Sequence, residues 1–461
     1  MIELPLSEVA RVTSGRLDGV DPAVQVTAEV EVDSRQVRPG GLFVALPGER
    51  TDGHDHAAEA VRAGAVAAVV ERPLAGLPCV VVPDPLGALQ ALAAQVFGVD
   101  QPLTYGITGS SGKTSTKDLL AHVLAGCGPT LAPVGSFNNE VGLPLTALRR
   151  TVATAYAVLE YSARGAGHLA FLCGIVRPDV AVELNVGSAH LGEFGSRQAT
   201  AQAKGELVEA ARRLVVLNAD DPLVLAMRAR AGVPVVTFGT GPDADVRAEH
   251  VSLDDDGLAA FRLATPAGTV PVRLGMVGDH HVANALAVAA AVTATDVAGL
   301  DVLAERLGSA RPVSRWRMEV SERPDGVTVV NDAYNANPDS MRAALRTLAV
   351  LGRRGTRRTV AVLGPMAELG DAAREEHMDL GRFAVRLDIG QLVVVGPDAG
   401  GIHAGAVLEG SWGSESLHVD DPESAVALLR EQLRPGDVVL VKASRSAGLE
   451  RVADALLEGA S

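Results

Sequence analysis

Short apolar runs alternate with longer runs of helical periodicity along most of this chain. Residues 42–46 and 103–107 are apolar runs of strand length, whereas residues 86–97 repeat their apolar side chains at the spacing of a helix. Strands that are separated by helices form parallel sheets, which place functional loops at the carboxyl ends of the strands. The pattern therefore predicts an α/β fold.

The same alternation divides the chain into three units, residues 1–100, 101–311 and 312–461. Only the second unit departs from it, because its strands and helices are followed by three short runs separated by turns, which predict an antiparallel addition. A length of 461 residues agrees with three domains at ~150 residues each. We expect a small N-terminal α/β domain, a central mostly parallel sheet with an antiparallel addition, and a C-terminal α/β domain.

Composition argues against several classes of function. A net charge of −15 and an aromatic content of 3% disfavour nucleic-acid binding, which needs a basic face and stacking side chains. The first residues lack the pattern of a signal peptide, and no apolar stretch approaches the ~20 residues that span a bilayer. The three cysteines are widely spaced, as expected for buried thiols in a reducing compartment. We therefore expect a cytoplasmic protein without membrane insertion.

A glycine-rich turn lies between a strand-length apolar run and a run of helical periodicity. Gly109 and Gly112 leave backbone N–H groups able to face a polyanion, and the helix start and Lys113 add positive charge. Thr114 is placed to offer its hydroxyl to Mg²⁺. The turn departs from the usual pattern at Ile107, where glycine is expected. It nevertheless predicts a phosphate-binding loop made of Thr108, Gly109, Ser110, Ser111, Gly112, Lys113, Thr114 and Ser115.

Lysine is rare in this chain. Of 41 basic residues, four are lysine, namely Lys113, Lys117, Lys204 and Lys442. Arginine can replace lysine wherever charge alone matters, so the remaining lysines are candidates for sites that need a primary amine or a compact ammonium. Chance is the alternative explanation for any single one of them.

Polar side chains also follow the predicted strands of the central unit. Glu160 ends the strand expected beside the phosphate loop, where a carboxylate reaches Mg²⁺, although a solvated acid fits the pattern equally well. His190 follows the next strand and could bind a second metal ion or play a structural part. Lys204 could do so only if its charge were altered, because an ammonium repels Mg²⁺. Turn residues of the first unit could hold a polar ligand or simply face solvent: Ser34, Arg35, Asp52 and His54.

Taken together, these motifs resemble the Mur ligases. The phosphate loop is similar to the variant found in Mur ligases and folylpolyglutamate synthases, which accounts for Ile107. The resemblance covers essentially the whole chain, and its most discriminating motif is Asn331-Asp332-Ala333-Tyr334-Asn335-Ala336-Asn337-Pro338. Further matches are Asn138-Asn139-Glu140-Val141-Gly142-Leu143-Pro144, Asn185-Val186-Gly187-Ser188-Ala189-His190, Ala203-Lys204-Gly205-Glu206 and Asn218-Ala219-Asp220-Asp221-Pro222.

The resemblance implies a three-domain Mur ligase architecture. The first domain would bind a UDP-linked substrate, the central domain ATP, and the C-terminal domain would be Rossmann-like. The implied enzyme is an ADP-forming ligase of peptidoglycan precursor synthesis. It would phosphorylate UDP-N-acetylmuramoyl-tripeptide and join D-alanyl-D-alanine to the resulting acyl phosphate. ATP and two Mg²⁺ ions would be required, and the enzyme would act as a monomer.

The resemblance also implies roles for individual residues. Lys113, Glu160, His190 and Lys204 would be catalytic, with one Mg²⁺ on Thr114 and Glu160 and a second on His190 and a carbamylated Lys204. Carbamylation would give this lysine a carboxylate-like ligand, which arginine cannot imitate. The ATP site would extend beyond the phosphate loop to His280, Asn284, Arg317 and Asp332. Substrate-binding residues would be Ser34, Arg35, Asp52, Gly53, His54, Asn138, Asn139, Tyr334, Asn335, Asn337, Lys442, Ser444 and Arg445.

Two residues depart from the family pattern, since Ser162 and Ala443 stand where glycine is usual. If position 443 had a positive φ, alanine would cost about 1 kcal/mol there. Two alternative functions stay open. One is another Mur ligase or a folylpolyglutamate-synthase-like enzyme, which would share the central machinery. The other is a nucleotide switch that hydrolyses ATP without forming a bond.

Overall fold

The computed structural model describes residues 2–48, 51–133, 135–187, 194–353, 357–411 and 413–458. Its three larger sheets are mostly parallel and are joined by helices, which confirms the predicted α/β class. Within these ranges, no helix combines the length and the apolar character needed to cross a bilayer. His190 is outside the described residues.

The first unit is a small sheet in the order β2-β7-β6-β5-β4, in which only β2 runs antiparallel to its neighbour. A separate antiparallel pair, β1 with β3, lies beside it. The strands are β1 (Leu4–Pro5), β2 (Arg16–Asp18), β3 (Gln25–Val26), β4 (Val30–Glu31), β5 (Leu42–Val44), β6 (Ala67–Val70) and β7 (Cys79–Val81). The helices are α1 (Leu6–Val12), α2 (Ala57–Ala63) and α3 (Pro85–Gly98).

The second unit contains the largest sheet, in the order β16-β15-β14-β13-β12-β11-β8-β10-β9. Its strands are β8 (Leu103–Thr108), β9 (Thr130–Leu131), β10 (Tyr156–Glu160), β11 (Val180–Glu183), β12 (Leu214–Asn218), β13 (Val235–Gly239), β14 (Val246–Leu253), β15 (Leu258–Thr265) and β16 (Gly268–Val277). Its helices are α4 (Lys113–Ala125), α5 (Gly142–Leu148), α6 (His168–Ile175), α7 (Arg197–Ala210), α8 (Pro222–Leu225), α9 (His280–Ala294) and α10 (Leu300–Ser309).

The predicted antiparallel addition is confirmed as part of this same sheet. Strand β14 pairs parallel with β13, and then β15 and β16 pair antiparallel in turn. Helix α9 is buried along most of its length and packs against the sheet through a run of alanine, valine and leucine side chains. The large central sheet therefore gives a rigid base to the loops at its carboxyl edge.

The third unit is a sheet in the order β17-β18-β22-β19-β20-β21, in which only the edge strand β17 is antiparallel to its neighbour. The strands are β17 (Glu319–Glu322), β18 (Thr328–Asn331), β19 (Thr359–Leu363), β20 (Gln391–Val395), β21 (Ser416–Val419) and β22 (Val438–Lys442). The helices are α11 (Pro338–Arg353), α12 (Ala373–Arg386), α13 (Gly400–Glu409), α14 (Pro422–Gln432) and α15 (Glu450–Glu458). Sequence patterns missed both edge strands, because these are short and only partly apolar.

The first two units have separate sheets but share an apolar core. One cluster of buried side chains runs from Leu6 and Phe97 in the first unit to Leu143 and Leu148 in the second. Near the junction, the buried guanidinium of Arg150 donates to the carbonyl oxygens that end α3. The predicted boundary at residue 100 thus separates two sheets, whereas the packing continues across it.

Candidate active site

The phosphate loop joins β8 to α4, and β8 is an interior strand of the large sheet with β10 and β11 on either side. Gly112 has φ +79° just before the helix starts. A Cβ there would lie 2.7 Å from Asn284 Oδ1 on α9, so only glycine fits both the backbone angle and the space. The predicted strand–turn–helix is therefore present, with its backbone N–H groups at a helix N-terminus.

Lys113 is folded back over this loop. Its Nζ donates to the carbonyl oxygen of Gly109 at 2.7 Å. Burial lowers the pKa of the Lys113 amine, and Arg317 acts in the same direction, whereas Glu160 and Glu183 oppose them. A nucleotide phosphate bound in the loop would provide a negative counter-charge for this desolvated ammonium.

Glu160 and Thr114 form a pair of oxygen ligands beside the loop. Glu160 ends β10 opposite Ile107 on β8, as the sequence pattern predicts for a neighbouring strand. Thr114 Oγ1 donates to Glu160 Oε2 at 2.9 Å, and Asn138 Nδ2 donates to Glu160 Oε1 at 2.7 Å. Ser136 Oγ, which was not predicted, lies 3.1 Å from Thr114 Oγ1. Hydroxyl and carboxylate oxygens of this kind suit Mg²⁺.

These groups face a cavity of about 250 Å³ between the second and third units. Arg317 reaches into it from the third unit, with Nη2 3.3 Å from Thr114 Oγ1 and Cζ 4.1 Å from the centre of the Tyr334 ring. Its buried Nε has no hydrogen-bond partner among the described side chains and backbone. The lining residues are Ser110, Ser111, Gly112, Lys113, Thr114, Ser115, Ser136, Asn138, Glu160, Ser162, Arg317, Tyr334, Asn335, Asn337 and Ser340.

Lys204 lies on α7 and is only 4% exposed. None of the hydrogen bonds found among the described residues involves its amine. Burial lowers its pKa to about 7, with Lys113 acting in the same direction and Glu183 and Glu160 opposing them. A buried lysine with this pKa has a substantial neutral fraction at neutral pH, which a reactive amine requires.

Glu183 is a buried acid in this region that sequence reasoning missed. It ends β11 opposite Thr108 and shares with Ala181 the sheet face that packs against α7. The side chain is completely buried, and neither carboxylate oxygen has a hydrogen-bond partner among the residues that the structure describes. Burial raises its pKa to about 7, which Lys204 and Lys113 oppose. In the sequence, the one indication of a functional acid here is that Glu183 ends the otherwise apolar run Val180-Ala181-Val182-Glu183.

The adenine-side prediction falls on α9, where Asn284 is buried and His280 is half-buried. Asn284 lies against Gly112, as described above. His280 is packed beside His281, with ring centres 4.2 Å apart, and its Nδ1 has no hydrogen-bond partner in the ranges that the structure describes. Burial lowers the pKa of His280, and Lys442 acts in the same direction, whereas Asp332 and Asp279 oppose them. The ring therefore lies near charged residues of the third unit, and its contact with the adenine stays a prediction.

Predicted residues of the third unit split into two groups. Tyr334, Asn335 and Asn337 line the cavity. Asp332 and Lys442 instead hold the loop internally: Lys442 Nζ donates to Asp332 Oδ2 at 2.5 Å, and Asp332 Oδ1 accepts from the Met318 backbone N–H at 3.0 Å.

Ser444, Arg445 and Asn139 also contact neighbouring residues of the chain. Ser444 Oγ accepts from the Ala367 N–H at 2.8 Å, and Arg445 pairs with Glu450 at 2.6 Å. Asn139 Oδ1 accepts from the Gly142 N–H at 2.8 Å and so caps α5. The substrate contacts predicted for these three residues stay predictions.

Three family models match this chain in sequence. They are described as the Mur ligase family catalytic domain, over residues 27–96, the Mur ligase middle domain, over 107–292, and the Mur ligase glutamate ligase domain, over 316–445. The chain belongs to the Mur ligase family. This result confirms the resemblance seen in the sequence motifs.

Named relatives span nearly the whole of this Mur ligase. A UDP-N-acetylmuramoyl-tripeptide–D-alanyl-D-alanine ligase of Mycobacterium tuberculosis (strain ATCC 25618 / H37Rv) is 50% identical, covering 99% of this chain and 98% of the relative. The ligase of the same name from Escherichia coli (strain K12) is 36% identical over 99% of each chain.

Two solved structures also align over almost the full length. MurF from Acinetobacter baumannii has a TM-score of 0.88 at 32% identity, covering 99% of each chain. MurF ligase from Thermotoga maritima in complex with ADP has a TM-score of 0.80 at 31% identity, covering 94% of this chain and 98% of that one.

The predicted UDP-binding residues of this Mur ligase lie in the first unit, outside the lining of the central cavity. His54 Nε2 accepts from the Glu71 N–H at 3.0 Å, so Nδ1 carries the proton and donates to Asp52 Oδ1 at 2.6 Å. Ser34 donates to Glu59 at 2.8 Å, and Arg35 pairs with Asp33 at 2.7 Å. A Cβ at Gly53 would lie 2.6 Å from the Leu46 carbonyl oxygen, so glycine is required there.

The two departures from the family pattern cause no backbone strain. Neither Ser162 nor Ala443 has a positive φ, so the cost considered for alanine at 443 does not arise. Ser162 lines the cavity, and its backbone N–H donates to the Asn138 carbonyl oxygen at 3.1 Å. Ala443 is completely buried in the core of the third unit.

Proposed function

We propose that this Mur ligase joins D-alanyl-D-alanine to UDP-N-acetylmuramoyl-tripeptide while ATP is converted to ADP and phosphate, as a step of peptidoglycan precursor synthesis. The observation that carries the proposal is one cavity that brings the phosphate loop and Glu160 against Arg317 and the Tyr334-Asn335 loop of the third unit. Full-length relatives that bear the name of this activity support the choice of substrates.

The chemistry proceeds in two steps. A terminal carboxylate oxygen of the tripeptide attacks the γ-phosphorus of ATP, and the bond to the bridging oxygen breaks, giving an acyl phosphate and ADP. The amine of D-alanyl-D-alanine then attacks the acyl carbon, phosphate leaves, and the amine gives up a proton. Lys113 and the loop N–H groups hold the β- and γ-phosphates, and Arg317 approaches the transferred group from the other side. Enclosure between two units excludes water, which would hydrolyse the acyl phosphate.

We infer that Mg²⁺ binds beside the phosphate loop. Thr114 Oγ1 and Glu160 Oε2 are adjacent hard oxygen atoms in a cavity with room for water ligands, so the residues present fit this ion. When bound, Mg²⁺ would neutralise charge on the phosphates of ATP. Thr114 and Glu160 hold these two oxygens in place, and Asn138 orients the carboxylate.

A second Mg²⁺ would bind at a carbamylated Lys204 together with His190. The neutral amine of Lys204 adds to CO₂, forming an N–C bond and releasing one proton, which gives an anionic oxygen ligand. Burial of Lys204 and the lowered pKa of its amine support this step. Arginine cannot form such a carbamate, which would explain why lysine stands at this position.

We further propose that the enzyme acts as a monomer in the cytoplasm. ATP and UDP-linked precursors are nucleotides of that compartment.

The test is ADP release with each substrate omitted in turn. We expect sustained ADP release only when UDP-tripeptide and D-alanyl-D-alanine are both present. Glutamate and diaminopimelate in place of the dipeptide distinguish other Mur ligases and folylpolyglutamate-synthase-like enzymes. A Lys113→Ala variant, which should release no ADP, is the matched control for contaminating ATPases. Equal ADP release without either substrate would overturn the proposal in favour of a nucleotide switch.

A further inference from the structure

Arg317 stands between two residues whose backbone is left-handed. Trp316 has φ +59° and Met318 has φ +49°, although neither is glycine. Side chains with a Cβ rarely adopt this conformation, and it persists only where the surrounding structure holds it. The flanked residue is the arginine that reaches the phosphate loop.

Hydrogen bonds hold the strained segment on both sides of Arg317. The Trp316 N–H donates to Glu319 Oε2 at 3.0 Å, and the Trp316 carbonyl oxygen accepts from the Tyr334 N–H at 3.3 Å. The Met318 N–H donates to Asp332 Oδ1 at 3.0 Å. The direction of the Arg317 side chain is therefore set by a backbone that three neighbouring groups keep in place.

The indole of Trp316 has a separate set of contacts. Its ring lies next to two guanidinium groups, with Arg445 Cζ 4.3 Å and Arg315 Cζ 5.1 Å from the ring centre. Within the described residues, the buried indole N–H has no hydrogen-bond partner. The indole therefore contacts its neighbours through the ring face, which attracts cations, rather than through its N–H.

Arg445 is held from two sides. It follows β22, and Glu450 Oε1 lies 2.6 Å from its Nη1 while the Trp316 ring covers the guanidinium. Since Trp316 is also adjacent to Arg317, one residue connects an arginine at the cavity with the loop that follows β22. Glycine would adopt φ +59° without cost, so the backbone alone does not call for tryptophan.

We propose that Trp316 is a positioning residue of the ligation reaction: its indole face holds Arg445, and its left-handed backbone directs Arg317 at the phosphate loop. Both arginines are then in place before substrates bind. This proposal rests on the ligase function proposed above and adds to it a residue that does not itself touch the reacting atoms.

The experiment compares Trp316→Gly, Trp316→Leu and Trp316→Phe in the complete ligation assay. Glycine keeps the backbone angle and loses the ring, leucine keeps apolar bulk without an aromatic face, and phenylalanine keeps the face. We expect kcat/KM to fall about 10-fold for glycine and leucine and less than 3-fold for phenylalanine, on the scale of one cation–aromatic contact. The KM for ATP alone should change little for the leucine variant, because Lys113 and the loop still hold the phosphates.

A double-mutant cycle with Arg445→Met supplies the decisive readout. If Trp316 acts through Arg445, the double variant Trp316→Leu/Arg445→Met should be no slower than Arg445→Met alone. Arg315→Ala is the matched control, since this second arginine over the ring does not line the cavity and its loss should leave kcat/KM unchanged. If the losses of kcat/KM of the two single variants multiply in the double variant, the proposal is wrong. It is also wrong if the phenylalanine variant is as slow as the leucine variant.

The outcome is separable from that of the ligase proposal. Failure of wild-type protein to release ADP with both substrates refutes the ligase function without reference to Trp316. The same cycle can then be read in thermal unfolding of the full chain, where contact between Trp316 and Arg445 predicts that the two losses of Tm are smaller together than their sum. Additive losses there would refute the contact itself.

Discussion

Two buried lysines in different units of the molecule have opposite surroundings. Lys442, 2% exposed at the end of β22, donates to Asp332 Oδ2 at 2.5 Å and to the Asn335 carbonyl oxygen at 3.0 Å. Lys204, 4% exposed on α7, makes no hydrogen bond among those found in the described residues, and its nearest acidic influences are Glu183 and Glu160. Both lysines are buried, but they differ in the hydrogen-bond acceptors that the described residues place in contact with their amines.

The difference separates a structural lysine from a reactive one. An ammonium with a carboxylate and a carbonyl oxygen in contact keeps its proton and ties together the loops that carry them. An ammonium that is buried without acceptors is desolvated, so its neutral form becomes accessible. Rarity of lysine in the sequence singled out both residues, but only the contacts tell them apart.

The largest expected effect is on catalysis at Lys204. Lys204→Arg keeps a positive charge and cannot form a carbamate, so we expect turnover to fall about 10³-fold, or about 4 kcal/mol in the barrier. Lys204→Ala should lose as much and regain part of it with short carboxylic acids. Turnover is measured as dipeptide-dependent ADP release. An active arginine variant would contradict the carbamate role.

A second prediction concerns stability and contrasts the two lysines directly. Lys442→Met leaves the Asp332 carboxylate buried without its cation, so we expect a loss of about 3 kcal/mol in the free energy of unfolding. Lys204→Met removes a desolvated amine that makes no hydrogen bond within the described part of the chain, so its effect should stay within about 1 kcal/mol. Chemical denaturation of both variants at pH 7.5 measures the contrast. Equal losses would mean that Lys204 is held as firmly as Lys442.

The third prediction is a pH dependence at Glu183. Its pKa is raised from 4.5 to about 7, so the folded protein keeps a proton that the unfolded chain releases. Stability from this group is complete below pH 4.5 and is lost as the pH rises to about 7, by about 3 kcal/mol over that window. Glu183→Gln should remove this decline and leave a flatter profile. Unfolding free energies of the wild-type protein and the Glu183→Gln variant, measured at pH 5, 6 and 7, test this prediction. Parallel pH profiles of the two proteins would exclude a titration of Glu183 in this range.

Much of the fold was predictable from local pattern. The strand, turn and helix of the phosphate loop, the antiparallel addition and the placement of Glu160 beside β8 all follow from periodicity, because strand alternation and parallel pairing leave few arrangements. Edge strands β17 and β21 were not predicted, since an edge strand lacks the continuous apolar run of a buried one.

The candidate site was predictable only in part. Residue type and loop position indicated Lys113, Thr114 and Glu160, which the structure brings into hydrogen-bond distance of the loop or of one another. The family resemblance implied Asp332 as an ATP ligand; its carboxylate oxygens contact Met318 and Lys442, and the ATP contact stays a prediction. Glu183 was not predicted, because a single acid in an apolar run does not indicate which lysines will lie near it in the fold.

By itself the sequence determined the α/β class, the phosphate loop and the family, because these depend on local periodicity and on contiguous motifs. Only the tertiary structure decided which buried charges are paired. Lys204 and Lys442 look alike in the sequence, and so do the loops that carry Ser34 and Tyr334. Pairing depends on atoms brought together from distant parts of the chain. A difference of a few ångströms in the distance to a carboxylate decides whether a buried lysine forms an ion pair or has a reactive amine.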